Sequence, residues 1–139
     1  MSLESLKDEV NSYKKKLSEE TYKLEMYQEK VDALYSLYER MKKKKEEMKY
    51  LKKSLKSFVD ESYEYWQGNV FNNRYNNNVR EELLKNDYGK MLTIIDNNLD
   101  SINNKRTYYE NLIYESKGII GKFQVCINSI ETHIVNWLN

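Results

Sequence analysis

The side chains able to do chemistry are few and scattered. His133 is the one histidine and Cys126 the one cysteine. A metal site or a Cys–His nucleophile needs such groups within reach of one another and of a carboxylate. The acid nearest His133 in sequence is Glu131, two residues away and off its helical face. Cys126 has no CxxC partner and no internal disulfide. The adjacent acids Glu46-Glu47 and Glu81-Glu82 read as surface charge, and no phosphate-binding glycine loop occurs. No catalytic residue, metal or cofactor is expected, and the chain reads as non-enzymatic.

The elements that carry these groups are helices. Of 139 residues none is proline and four are glycine, so little breaks a helix. Apolar residues recur from the start at steps of three and four: Leu3, Leu6, Val10, Tyr13, Leu17, then Leu24, Tyr27, Val31, Leu34, Tyr38 and Met41. This is a heptad seam with one gap at Thr21. Lys45 takes the next position. The stripe resumes at Met48, Leu51, Leu55 and Phe58 or Val59, with a slip in spacing. One helix over about 3–65 is expected, roughly 95 Å long at 1.5 Å per residue.

The second half repeats the pattern through Ile95, Leu99, Ile102, Arg106, Tyr109, Ile113, Ser116, Ile120, Phe123, Ile127, Ile130, Ile134 and Trp137. Phe71, Tyr75, Val79, Leu83 or Leu84, Tyr88 and Met91 extend it upstream, which predicts a second helix over about 71–137. Gly118 and Gly121 lie inside it, where they would let another helix approach closely. Between the halves stand Gly68, Asn69, Asn72, Asn73, Asn76, Asn77 and Asn78, residue types that tolerate a left-handed backbone. The expected fold is all-α: residues 1–139 form a single helical hairpin of two long antiparallel helices, coiled-coil-like, with its turn at about 66–72. Many flanking positions are also apolar or aromatic: Tyr22, Met26, Tyr35, Leu37, Tyr63, Tyr108, Leu112, Tyr114, Ile119 and Val125. One seam cannot bury them all, so a second hairpin, identical or different, is expected to complete a four-helix bundle.

Charge excludes several classes. Residues 1–65 carry 15 basic and 14 acidic groups and residues 66–139 eight of each, so no global field favours nucleic acid or a membrane. Mean hydropathy is −0.90, and no run of about 18 apolar residues suggests a membrane span. The opening residues, Met1 to Asp8, lack the basic, apolar, small-residue order of a cleaved signal. A cytoplasmic protein is expected, exported if at all without such a signal.

Residues 41–56 hold eight lysines against Glu46 and Glu47. Lys42, Lys43, Lys44 and Lys45 are consecutive and spread all round a helix, so they read as a solvated surface rather than a nucleic-acid or membrane stripe. Thirteen tyrosines suit both helix packing and an adhesive surface with apolar rings and polar tips.

At the expected bend lies Tyr65-Trp66-Gln67-Gly68-Asn69. A Trp and a Gly at W-x-G spacing can simply cap the core and end the helix. At the centre of a proline-free pair of helices, the motif resembles the W-x-G hairpin proteins of Gram-positive type VII secretion. The long first helix and residues 65–74 look most like the YwqH-like branch, small partners of LXG-domain toxins. The resemblance covers the whole chain as architecture and Trp66, Gly68, Phe71 and Tyr75 as motif.

That resemblance implies binding to the helical N-terminal domain of an LXG toxin, with a second small helical partner an added candidate. Trp66 and Gly68 would contribute to a composite export signal read by the secretion ATPase. Phe71, Tyr75, Tyr108, Tyr109 and Tyr114 are the candidate partner interface. The export motif Tyr-x-x-x-Asp/Glu is missing after the second helix: Ile113 follows Tyr109 and Gly118 follows Tyr114 at that spacing. Tyr35 with Glu39 fits it but lies in the first helix. A chain relying on a signal from its partner is therefore favoured. The alternatives are a self-associating coiled-coil scaffold, homodimeric in isolation, a toxin-neutralising protein, and a membrane-surface binder.

Overall fold

The computed structural model describes residues 2–65 and 78–139, without the side chains of residues 59, 61–65, 78 and 79. Trp66, Gly68, Phe71 and Tyr75, and with them the turn, lie outside the described residues, as do the Tyr63 and Val59 side chains. Almost every described residue is helical and none is in a strand. The two helical segments pack against each other, so the fold is an all-α helical hairpin.

Helix α1 runs Leu3–Tyr65. Ser2 opens it as an N-cap, its hydroxyl oxygen accepting from the Ser5 amide at 3.0 Å and its carbonyl from the Leu6 amide at 3.1 Å. The expected uniform second helix is instead two windings. Asn78–Asp87 is a π-helix and helix α2 follows as Tyr88–Leu138. Hydrogen bonds five residues back put more residues into each turn, so neighbours diverge less. Within the π-helix Leu84 is buried at 6% exposure and adjacent Leu83 half-buried. That explains why the sequence spacing could not choose between them.

The chain forms two compact units. In the first, residues 1–34 pack with 105–139. Tyr13 meets Phe123 with ring centroids 6.1 Å apart, Glu20 meets Ser116, and Tyr27 meets Tyr109 at 6.2 Å. Partner numbers fall as α1 numbers rise, so the segments are antiparallel. Leu6, Val10, Val31 and Ile127 are the buried apolar residues here. In the second unit, residues 35–104, Lys45 pairs with Asp96 and Asp60 with Arg80, again antiparallel, over a core that includes Leu84, Leu99 and Ile102.

The seam departs from expectation in four places. At the Thr21 gap the inward position is Glu20, its side chain only 14% exposed, while the Thr21 hydroxyl donates back to the Leu17 carbonyl at 2.8 Å. After Met48 the heptad does not slip. Lys52 and Leu55 are half-buried in unbroken phase, whereas Leu51 and Phe58 stand 56% and 55% exposed. The long Lys52 stem can cover the seam while its ammonium stays in water. Trp137, read as the last seam residue, is exposed and stands edge-on to His133, centroids 6.5 Å apart. Finally, a Cβ at Gly118 or Gly121 would meet nothing within 4 Å, so among the described residues no other helix comes close to either Cβ position.

The unbroken phase has a measurable consequence. Lys52→Leu is expected to raise unfolding stability by about 1 kcal/mol, and Leu51→Gln to lower it by less than about 1 kcal/mol. Urea denaturation followed by circular dichroism checks both. A larger loss at Leu51 than gain at Lys52 would restore the slipped register.

Candidate interaction surface

Among the described residues no three His, Cys, Asp or Glu gather as metal ligands would. Cys126 is half-buried and His133 exposed, seven residues apart on one helix and so roughly 10 Å along its axis. They form no joint site.

Each unit instead leaves apolar surface uncovered. In the first unit Tyr22, Met26, Tyr108, Tyr114, Ile119 and Val125 are exposed, Tyr114 at 71%, while Leu112 is half-buried. Of the candidate interface residues, Tyr108 and Tyr114 face solvent. Tyr109 belongs to the seam: half-buried, it touches Tyr27 and stands edge-on to Tyr108 at 5.3 Å. Ammonium groups flank it, Lys30 Nζ lying 5.3 Å and Lys105 Nζ 5.5 Å from its ring centre. Tyr109 thus sits in the seam, while the exposed Tyr108 ring carries Lys105 Nζ 5.0 Å from its centre.

The second unit carries grooves beside its seam. Met48, Leu51, Leu83, Tyr88 and Met91 line an open groove of about 590 Å³, with Asp87 and Lys90 also contributing. Leu51 and Met91 stand exposed on it, and Phe58 lies two turns along the Leu51 face of α1. On the other flank of the seam Lys49, Lys52, Lys53 and Lys56 surround Leu84 and Leu92 in a groove of about 370 Å³. Lys42 to Lys45 do spread round the helix, but the next four lysines gather on one side. Their i, i+3, i+4, i+7 spacing was the available signal. Reading Leu51 and Phe58 as seam concealed them as surface, and only an unbroken heptad count through Lys45 and Lys52 would have exposed them.

One charged pair lies at the seam. Lys45, with its side chain 21% exposed, is ion-paired to Asp96 across the two segments. The Asp96 hydrogen bond, against a smaller desolvation effect, raises the Lys45 ammonium above its ordinary 10.5. A folded-state value above the unfolded one means the pair stabilises fully below the ordinary lysine value. The contribution disappears as pH rises through the raised value. In Asp96→Asn this alkaline component of the melting curve is expected to vanish. Thermal melts across the alkaline range compare the two proteins, and identical pH dependence would contradict the assignment.

Comparison with protein-family models, curated proteins and solved structures finds no match. No helix among the described residues is long and apolar enough to cross a membrane.

Proposed function

We propose that this chain is a non-enzymatic partner that binds the helical N-terminal domain of an LXG-type toxin and promotes its type VII secretion. The observation that carries the reading is the uncovered apolar groove of the second unit, rimmed by exposed Leu51 and Met91. A hairpin with an open apolar flank is suited to receive the ridge of another helix, as in a four-helix bundle. The central Trp66 and Gly68 support the secretion role by their resemblance to the W-x-G motif. In this reading they contribute to a composite signal for the secretion ATPase, completed by the partner. The aromatic surface of Tyr108 and Tyr114 extends the contact.

The deciding experiment is co-purification. The tagged chain is co-expressed with an untagged LXG-domain protein, and the eluate is sized in solution. A defined heteromer retained at moderate salt is the expected result. Recovery of this chain with no toxin domain, at low or moderate salt, would reject the reading.

A further inference from the structure

We propose that the outward face of α2 in the first unit is a dimerisation surface, taking the same face of a second copy laid antiparallel. Thr107, Asn111, Tyr114, Gly118, Gly121, Val125, Asn128 and Thr132 follow strictly alternating steps of four and three. Such steps hold residues on one helical face, as a second heptad stripe. Each lies two positions before a seam residue, from Tyr109 and Ser116 to Phe123 and Ile127. Two residues turn an α-helix through about 200°, so the stripe points away from α1. All eight residues belong to the first unit. Seven are exposed, Tyr114 at 71% and Val125 at 65%, and Gly121 is half-exposed. None is charged, although charged residues make up 32% of the chain. A merely solvated face on so charged a chain would carry ions.

The stripe fits its own reverse. A two-fold axis between Ile119 and Ile120 sets Gly118 against Gly121, Tyr114 against Val125, Asn111 against Asn128 and Thr107 against Thr132, each contact made twice. Glycine inside a helix is unfavourable, yet a Cβ at either glycine would meet nothing in this chain. A facing helix would use that space, since glycine lets backbones approach closely. Each Tyr114 ring then covers a Val125 rather than a second tyrosine. Paired amides and paired hydroxyls both donate and accept, so they bond across the contact without net charge. Exposed Glu115 and Lys122 border one edge, and the antiparallel copy brings each beside the other's opposite charge. A strip about 38 Å long and 10 Å wide covers about 400 Å² per copy, roughly half a standard interface, so the dimer is weak and reversible. With the partner contact it shares only Tyr114, and its test uses this chain alone. Its failure would leave the toxin reading intact.

Sedimentation velocity and cross-linking test it. The wild-type chain is expected to dimerise reversibly with concentration and to stay associated at moderate salt, because the stripe is uncharged. Tyr114→Lys with Val125→Lys should weaken association about tenfold or more, since each lysine then faces another. Both side chains are exposed in the free chain, so circular dichroism should be unchanged. Leu51→Gln with Phe58→Gln should associate like the wild type. Direction and register are read from Asn111→Cys and Asn128→Cys, each carrying Cys126→Ser so that one thiol remains. A short bis-maleimide should join the two variants when mixed and neither to itself, because like positions lie about 25 Å apart along the axis. The proposal is overturned if the wild type stays monomeric at high concentration, or if the Tyr114 and Val125 variant associates unchanged. Loss of the dimer in the Leu51 and Phe58 variant would overturn it in favour of the groove. Cross-linking of Asn111→Cys to itself would overturn it in favour of a parallel pair.

Discussion

Ser116→Leu is expected to destabilise the protein by about 1–3 kcal/mol, although it makes the heptad pattern more regular. Ser116→Ala should cost no more than about 1 kcal/mol. The reason is local geometry. Ser116 is 1% exposed, the most buried side chain among the described residues. Its hydroxyl reaches the Glu20 backbone carbonyl at 3.4 Å, so α2 comes close enough there for a two-atom side chain to touch the facing backbone. Alanine keeps that approach and loses one long hydrogen bond. Leucine adds three carbons where backbone stands and must push the helices apart. Flanking contacts, such as Tyr13 on Phe123 and Tyr27 on Tyr109, would loosen with it. Chemical denaturation of the three proteins by circular dichroism decides the matter. A leucine variant at least as stable as wild type would mean that the close approach does not constrain the seam.

Leu51→Gln combined with Phe58→Gln is expected to weaken toxin-domain binding by about 2 kcal/mol or more, roughly thirtyfold, with helicity retained. Both side chains are more than half exposed in the free chain, so their loss removes little of its own core. In a complex they would become buried anchors, and large apolar anchors dominate interface energy. Glutamine keeps helix propensity and adds no charge, which separates this effect from the lysine flank. Titration calorimetry against the toxin's N-terminal domain measures it, with circular dichroism as the folding control. Unchanged affinity would move the contact away from the groove, and the exposed rings Tyr108 and Tyr114 would be the next surface to probe.

The partner reading rests on apolar area and predicts a complex that tolerates moderate salt. In the second unit Leu51 lines one groove and Lys49, Lys53 and Lys56 another.

Much of this was legible in the chain itself. The absence of proline and the repeat of three- and four-residue steps were enough for two helices, because helical periodicity is a local property. Solvent exposure of Tyr22, Tyr108, Tyr114, Ile119 and Val125 followed from counting apolar residues against the width of one seam. What required tertiary structure was the choice among near-equivalent positions. Hydrophobicity favours Leu51 over Lys52 as a seam residue. Phase continuity with Lys45 and Met48 turned Lys52 inward instead, and a lysine stem can accept that site because its ammonium still reaches water. Glu20 displaced the gap from Thr21 because it faces Ser116, a residue 96 positions away that no local pattern could supply. Within the π winding at Asn78–Asp87 Leu84 is buried and Leu83 half-buried, a choice that helical periodicity alone left open. Helix existence is thus local to the sequence, while inward and outward faces depend on contacts between segments far apart in it.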